Sequence, residues 1–99
     1  MLFIVSGRDH PDGLEHRLAV RPRHRAHYAT LGDDLILSGP YLDAAGEPIG
    51  SMIIMRAADQ AAAEAFANAD PFVTEGVFET LTVWRWDWFM NRPDGFSSD

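Results

Sequence analysis

Apolar positions along this chain fall into short two-sided runs and longer stretches with a helical repeat. Residues 2–7 and 51–56 are apolar on both alternating faces, which is typical of buried strands. Residues 35–38 form a shorter run of the same kind, and residues 77–89 alternate over their whole length. The pattern therefore predicts four strands, of which the last is the longest.

Two features suggest how the second strand ends and how it joins the third. Gly39 and Pro40 follow it directly, and proline lacks the backbone donor that a ladder needs, so we expect a strand that is irregular here or lies at a sheet edge. Residues 43–48 are weak in β preference and contain glycine and proline, so they predict a turn.

The first helical stretch covers residues 14–31 and contains a proline. Pro22 suits the first position of a helix far better than its interior. It predicts a short lead-in turn followed by a main helix that ends near Gly32, with His24 in the first turn. The inward face is made by residues three and four apart. These are Val20, His24, His27, Tyr28 and Leu31.

The second helical stretch is rich in alanine and covers residues 59–69. Asp59 is a plausible N-cap for it. Asp70 and Pro71 then stop the helix, because a residue before proline is disfavoured in the α region. We expect residues 92–99, which are polar and contain glycine, to be a flexible tail after a single domain of residues 1–91.

The order strand, helix, strand, strand, helix, strand predicts an α+β, ferredoxin-like fold with an antiparallel sheet. Two helices cover only one face of the sheet, yet the strands offer apolar residues to both. We therefore expect a second copy to pack sheet to sheet as a two-fold homodimer. The alternative leaves a row made by Trp84, Trp86 and Trp88 half-exposed at a sheet edge.

Composition narrows the class of partner and the compartment. A formal charge of −7 disfavours nucleic acid and anionic membranes as partners. The absence of cysteine excludes disulfides and thiolate chemistry. The opening apolar run is far too short for a signal peptide or a membrane span, so we expect a soluble, cytoplasmic protein.

All eight basic residues are arginines, and four of them crowd the first helix. Arg17, Arg21, Arg23 and Arg25 could hold a small anion, although a solvated face balanced by carboxylates is the more ordinary outcome. No cofactor motif is present. His24 and His27 stand three apart, but no carboxylate shares their spacing, so we expect no metal site.

His24 is the candidate for chemistry, and Asp70 is its candidate partner. A carboxylate in contact would fix the imidazole tautomer and prepare it to move a proton near neutral pH. However, Asp70 before Pro71 also has the signature of an N-cap for the following turn, and spacing alone favours the cap. The pattern does not settle which role Asp70 takes.

Four blocks of sequence resemble the YciI-like (YCII-related) family. They are Arg21-Pro22-Arg23-His24, Leu37-Ser38-Gly39-Pro40, Gly50-Ser51 and Ala69-Asp70-Pro71-Phe72. The resemblance implies a dimeric α/β barrel built from ferredoxin-like protomers. It also implies that His24 and Asp70 are the active-site pair, with a substrate pocket near Gly39-Pro40 and Ser51. The further substrate-binding candidates are Arg21, Ser38 and Phe72.

One branch of this family is similar to a dehydrochlorinase of chlorinated hydroxyquinones. The first hypothesis is therefore a cofactor-independent enzyme that eliminates or isomerises a small cyclic or aromatic substrate. His24 would act as acid or base, and Arg21 or backbone amides near Gly39 would steady an oxyanion. The alternatives are a non-catalytic ligand-binding or accessory module and a structural dimer in which His24 and Asp70 satisfy each other.

Overall fold

The computed structural model describes all 99 residues, and its elements follow the predicted order with one short helix added. A 3₁₀ turn at Gly32–Asp34 separates the first helix from the second strand. The elements are β1 (Leu2–Asp9), α1 (Leu14–Ala29), β2 (Leu35–Leu42), β3 (Pro48–Arg56), α2 (Gln60–Asn68), α3 (Pro71–Thr74) and β4 (Phe78–Trp86).

The four strands form one antiparallel sheet in the order β2-β3-β1-β4. This order, with the helices between β1 and β2 and between β3 and β4, is the ferredoxin-like arrangement that the sequence predicts. β2 lies at an edge, as the proline in it indicated. Asp59 caps α2, where its side chain accepts a hydrogen bond from the backbone N–H of Ala62.

All four strands differ from their predicted bounds, and β3 begins at Pro48, the last residue of the predicted turn, because Pro48 pairs with Leu42 of β2. β1 continues past Gly7 to Asp9 because that glycine makes room for an aromatic ring: a Cβ at position 7 would lie 2.5 Å from the ring of Phe78. β2 runs through Gly39 and Pro40, since an edge strand tolerates a residue without a donor. β4 ends at Trp86, three residues before the predicted end.

α1 is one continuous helix, so the predicted division at Pro22 is wrong. Pro22 lies inside the helix, and His24 lies two residues beyond it, in the C-terminal half. A proline in a helix interior costs about 3 kcal/mol. Burial of Val20 and Tyr28 on either side outweighs that cost, since each such side chain contributes about 1.5–3 kcal/mol.

The main core lies between the helices and one face of the sheet. The sheet contributes the inward residues Phe3, Val5, Ile53 and Met55. The helices contribute Tyr28, Ala63 and Ala67. A second cluster joins Val20, Phe72, Val77 and Phe78 at the end of the sheet where α3 packs.

The opposite face of the sheet carries a row of apolar side chains across its middle, in which Ile54 is only 5% exposed. Leu37, Ile54, Ile4 and Trp84 stand side by side there, one from each strand. Leu37 is 41% exposed and Trp84 is 69% exposed. This apolar stripe lies on the face that the sequence predicts to be free of helices.

No helix in the chain is both long and apolar enough to cross a membrane.

The other two tryptophans belong to a separate aromatic group near the C-terminus. The rings of Trp86 and Trp88 lie 5.9 Å apart, and Phe96 packs 5.3 Å from Trp88. Arg56 lies 5.1 Å from the Phe96 ring and donates a hydrogen bond to the backbone carbonyl of Asp99. Trp84 and Trp86 thus share the open face of β4, although only Trp84 stands in the apolar stripe, and Trp88 lies beyond the strand.

Candidate active site

His24 and Asp70 are in direct contact. The Nδ1 atom of His24 lies 2.8 Å from Oδ2 and 2.9 Å from Oδ1 of Asp70. The Asp70 side chain is fully buried, and the His24 side chain is 12% exposed. A carboxylate with no access to water needs such partners, since unpaired burial of a charge is costly.

Asp70 also caps α3, because its Oδ1 accepts a hydrogen bond from the backbone N–H of Phe72 at 3.0 Å. The two roles that the sequence left as alternatives therefore coexist in one carboxylate. They meet because α1 is continuous, which places His24 in its C-terminal half. The two helices of this fold run roughly parallel, so that half lies near the residue that follows α2.

The contact with Asp70 fixes which nitrogen of His24 is available. A carboxylate accepts hydrogen bonds, so Nδ1 carries the hydrogen, and Nε2 of the neutral ring keeps its lone pair. Nε2 has no hydrogen-bond partner in the chain and is not sealed from solvent. Phe72 stacks on the imidazole at 3.9 Å between ring centroids and holds its plane.

Tyr28 closes one side of this pair, with its ring 5.2 Å from that of His24. Its hydroxyl is buried and has no hydrogen-bond partner. Burial raises the pKa of Tyr28 well above its ordinary value, and the negative charge of Asp70 raises the pKa further. Tyr28 therefore stays neutral and serves as a wall beside the imidazole rather than as a second acid.

His24 lines a cleft of about 330 Å³ between α1 and the strands β2 and β3. Of the residues expected to bind substrate, Arg21, Ser38, Gly39, Pro40 and Ser51 also line it. Phe72 and Asp70 do not line the cleft and instead contact His24. The remaining lining residues are Arg17, Arg25, Leu42, Pro48 and Ile53.

The sequence did not single out the buried ion pair at the inner end of this cleft. Arg17 donates from Nη1 to both carboxylate oxygens of Asp9, at 2.9 and 3.1 Å, and both side chains are 4% exposed. Its Nη2 donates to the hydroxyl of Ser51. The guanidinium also lies 4.7 Å from the ring of Phe72. Burial raises the pKa of Asp9, although the charge and hydrogen bonds of Arg17 oppose that effect.

A signal for this cluster was present in the spacing of the arginines. Arg17, Arg21 and Arg25 recur every four residues and share one side of α1, which faces the cleft. Arg23 points elsewhere and pairs with Glu75. The arginines are therefore not one solvated face, because Arg17 is buried and Arg21 is half-buried, whereas Arg23 and Arg25 are exposed.

The second histidine of α1 is engaged away from the cleft. His27 contacts the backbone carbonyl of Phe66 through Nε2 at 2.8 Å and stacks on the Phe66 ring at 4.1 Å. His24 and His27 therefore use their nitrogens on different partners. No three side chains of the metal-binding types come together anywhere in the chain.

Comparison with known proteins agrees with this fold and covers most of the chain. Residues 1–87 match the YCII-related domain. The protein YciI of Escherichia coli O6:H1 is 38% identical over 91 residues, which cover 84% of this chain and 93% of that protein. An uncharacterized protein of Haemophilus influenzae is 32% identical over 91 residues, which again cover 84% of this chain and 93% of that protein.

One solved structure is also similar. It is the 5-chloro-2-hydroxyhydroquinone dehydrochlorinase TftG from Burkholderia phenoliruptrix AC1100, in complex with 2,5-dihydroxybenzoquinone. The TM-score is 0.82 and the sequence identity is 30%. The match covers 88% of this chain and 94% of the dehydrochlorinase.

Proposed function

Because this chain belongs to the YCII-related domain family, we propose that it is a cofactor-independent enzyme in which His24 moves a proton on a small cyclic or aromatic substrate. The observation that carries this proposal is the buried Asp70 carboxylate on Nδ1 of His24, which leaves Nε2 as the one free imidazole nitrogen beside the cleft. This is the arrangement that a general base requires.

The chemistry follows from that geometry. Nε2 takes a proton from a C–H or O–H group of the substrate, and Asp70 stabilises the imidazolium that forms. The electron pair moves onto a carbonyl oxygen, where Arg21 or the backbone amides near Gly39 steady the charge. Collapse of the oxyanion expels a leaving group from the neighbouring carbon, or reprotonation at another carbon gives an isomer. In the elimination His24 then releases its proton to solvent, whereas in the isomerisation the proton on Nε2 is the one delivered to the other carbon.

The similar dehydrochlorinase favours elimination as the reaction type. Its name describes loss of hydrogen chloride from a chlorinated hydroxyhydroquinone, and the structure contains a dihydroxybenzoquinone. We extend to this chain only the reaction class, which is removal of a proton coupled to departure of a leaving group on a small oxygenated ring. The cleft of about 330 Å³ is at the lower end of ligand-pocket volumes, so it suits a single ring.

The assembly that we propose is a homodimer through the open sheet face. The apolar stripe made by Leu37, Ile54, Ile4 and Trp84 is what a second copy would cover. The cleft lies on the other side of the sheet, next to α1. Pairing through the stripe therefore leaves the cleft open to a small molecule.

Turnover on a defined panel tests the enzyme proposal. The panel contains 5-chloro-2-hydroxyhydroquinone, other chlorinated and unchlorinated hydroxyquinones, and lactones, with chloride release and product formation as readouts. We expect His24→Gln to lower the rate about 10²–10⁴-fold, the usual contribution of a general base. His16→Gln is the matched control, because His16 is an exposed histidine on the same helix and lies outside the cleft.

The alternatives predict different results in the same experiment. A binding or accessory module gives no turnover on any substrate but a clear rise in melting temperature with some of the compounds. A structural dimer gives neither, and His24→Ala then lowers the free energy of unfolding by about 2–4 kcal/mol, because a fully buried carboxylate loses its partner. Equal turnover by wild type and His24→Gln would exclude the proposed mechanism.

A further inference from the structure

The side chains that line the cleft carry an excess of positive charge. Arg17, Arg21 and Arg25 line the cleft, whereas no carboxylate does. Arg17 is neutralised by Asp9, but Arg21 and Arg25 take part in no ion pair. Two uncompensated cations therefore face one small cavity in a chain whose net charge is −7.

The excess of positive charge is confined to the cleft beside His24. A larger cavity of about 660 Å³ at the end of the sheet is lined by Asp12, Asp43, Glu47 and Glu79, so an anion is repelled from it. The unpaired arginines stand four residues apart on α1, where like charges repel each other. An anion bound between them would relieve that repulsion.

Ser51 adds a directional constraint at the inner end of the cleft. It is 4% exposed, and its hydroxyl oxygen accepts a hydrogen bond from Nη2 of Arg17. A guanidinium cannot accept a hydrogen bond, so the hydroxyl hydrogen of Ser51 must be donated elsewhere. Ser51 donates to no acceptor within the chain. Arg17 thus acts as a positioning residue that fixes Ser51 as a donor to whatever occupies the cleft.

His24 supplies the opposite polarity. With Nδ1–H held by Asp70, Nε2 is the side-chain acceptor of the cleft, and the surrounding arginines and Ser51 are donors. From this complementarity, and on the basis of the proposed function, we propose that the cleft binds its substrate as a small oxyanion, with the charged oxygens on Arg21 and Arg25, an acceptor oxygen on Ser51 and an acidic hydrogen towards His24. Carboxylic acids and hydroxyquinones, which are vinylogous carboxylic acids, are the chemical classes that fit.

Binding by matched ligand pairs tests the proposal without relying on turnover. 2,5-Dihydroxybenzoquinone ionises in neutral buffer, whereas 2,5-dimethoxybenzoquinone has the same ring and cannot. Salicylate and salicylamide form a second pair of similar size. We expect calorimetry at low salt to show at least about tenfold tighter binding of an anion than of its neutral counterpart, with affinity falling as salt increases.

Matched variants test which arginines bind the anion. Arg21→Gln and Arg25→Gln should each weaken binding of the anion about tenfold, as expected when a charged hydrogen bond is lost, and leave the neutral analogue unaffected. Arg23→Gln removes the same charge from the same helix outside the cleft and should change affinity less than about twofold. Ser51→Ala should weaken binding of the anion. Ser51→Thr keeps the hydroxyl and should restore that binding.

The outcomes separate this inference from the enzyme proposal. Preferential anion binding by wild type and by His24→Gln, without turnover on any substrate, supports the inference and removes the catalytic function. Turnover with no preference for either anion over its neutral partner overturns the inference alone. Equal losses of affinity in Arg21→Gln and Arg23→Gln also overturn it, because a general effect of net charge would then account for the binding.

Discussion

At the scale of single residues, the two buried carboxylates, Asp70 and Asp9, differ in the groups that contact them. Asp70 is held by an imidazole and a backbone amide and orients the His24 ring, which we propose as the general base. Asp9 lies against Arg17, yet its pKa is raised because the cost of burying the carboxylate exceeds the attraction of the guanidinium. The burial cost of Asp9 therefore offsets much of the stability that its ion pair with Arg17 contributes.

The burial cost of Asp9 predicts that substitutions of Asp9 and of Arg17 destabilise the protein to different extents. Asp9→Asn should lower the free energy of unfolding at neutral pH by about 1–3 kcal/mol, because the buried guanidinium of Arg17 loses its counter-charge but the amide still accepts a hydrogen bond from it. Arg17→Met should cost about 3–5 kcal/mol, because it leaves a buried carboxylate without its cation. Urea unfolding of both variants and of the double variant measures the difference. A larger loss in Asp9→Asn than in Arg17→Met would contradict it.

The same pair has a defined pH dependence. A raised folded-state pKa means that the native protein binds more protons than the unfolded chain just above the ordinary pKa of the carboxyl group, so this contribution to stability is present at acid pH and is lost as pH rises through the folded-state pKa. Arg17→Met removes the groups that lower the pKa of Asp9. Its stability deficit relative to wild type should therefore be largest at neutral pH and shrink as pH falls towards about 4.

Individual site residues differed in how far the sequence could identify them. His24 and Asp70 were paired through their blocks of family resemblance, whereas local pattern predicted only the cap at Asp70-Pro71 and not the contact with His24. The Arg17–Asp9 pair was missed because it depends on β1 extending to Asp9, which in turn depends on the Phe78 ring filling the space over Gly7. That contact joins residues more than seventy positions apart, and no local pattern encodes it.

At the scale of elements, turn-forming residues were given too much weight where pairing decides the outcome. Gly39 and Pro40 end a strand by local preference, but their pairing with Met52 and Ser51 carries β2 through them. Pro22 starts a helix by local preference, but the buried face of α1 runs past it on both sides. Element order and type were predictable from periodicity, whereas boundaries depended on neighbours distant in sequence.

Replacing Pro22 should therefore stabilise the protein. It is exposed, and it leaves the carbonyl of Leu18 without the donor that a helix interior normally supplies. Pro22→Ala should raise the free energy of unfolding by about 1–3 kcal/mol. Pro71→Ala is the control, because Pro71 stands at the start of α3, where proline is favoured, and no gain is expected there. A loss of stability in Pro22→Ala would show that the surrounding packing depends on the ring.

At the scale of the whole molecule, the sheet separates two surfaces with different chemistry. The helix side holds the polar, arginine-lined cleft, and the other side presents the apolar stripe. A stripe of this kind in an antiparallel sheet is a surface for association. A homodimer was expected from the sequence on the same ground, and the structure adds that Trp84, rather than the whole tryptophan row, is its most exposed member.

Trp84→Glu should therefore convert a dimer of about twice 11.0 kDa into a monomer, because it replaces the most exposed residue of the proposed interface by a charge that the dimer would have to bury. Phe89→Glu introduces the same charge at an aromatic residue that is 85% exposed and lies beyond β4, and it should leave the mass unchanged. Sedimentation equilibrium over a range of concentrations distinguishes the two. Since the cleft lies on the helix side of the sheet and the stripe on the other side, binding of 2,5-dihydroxybenzoquinone should change less than about twofold in the monomer. A wild-type protein that sediments as a monomer at every concentration, or an unchanged mass in Trp84→Glu, would assign the stripe to another role.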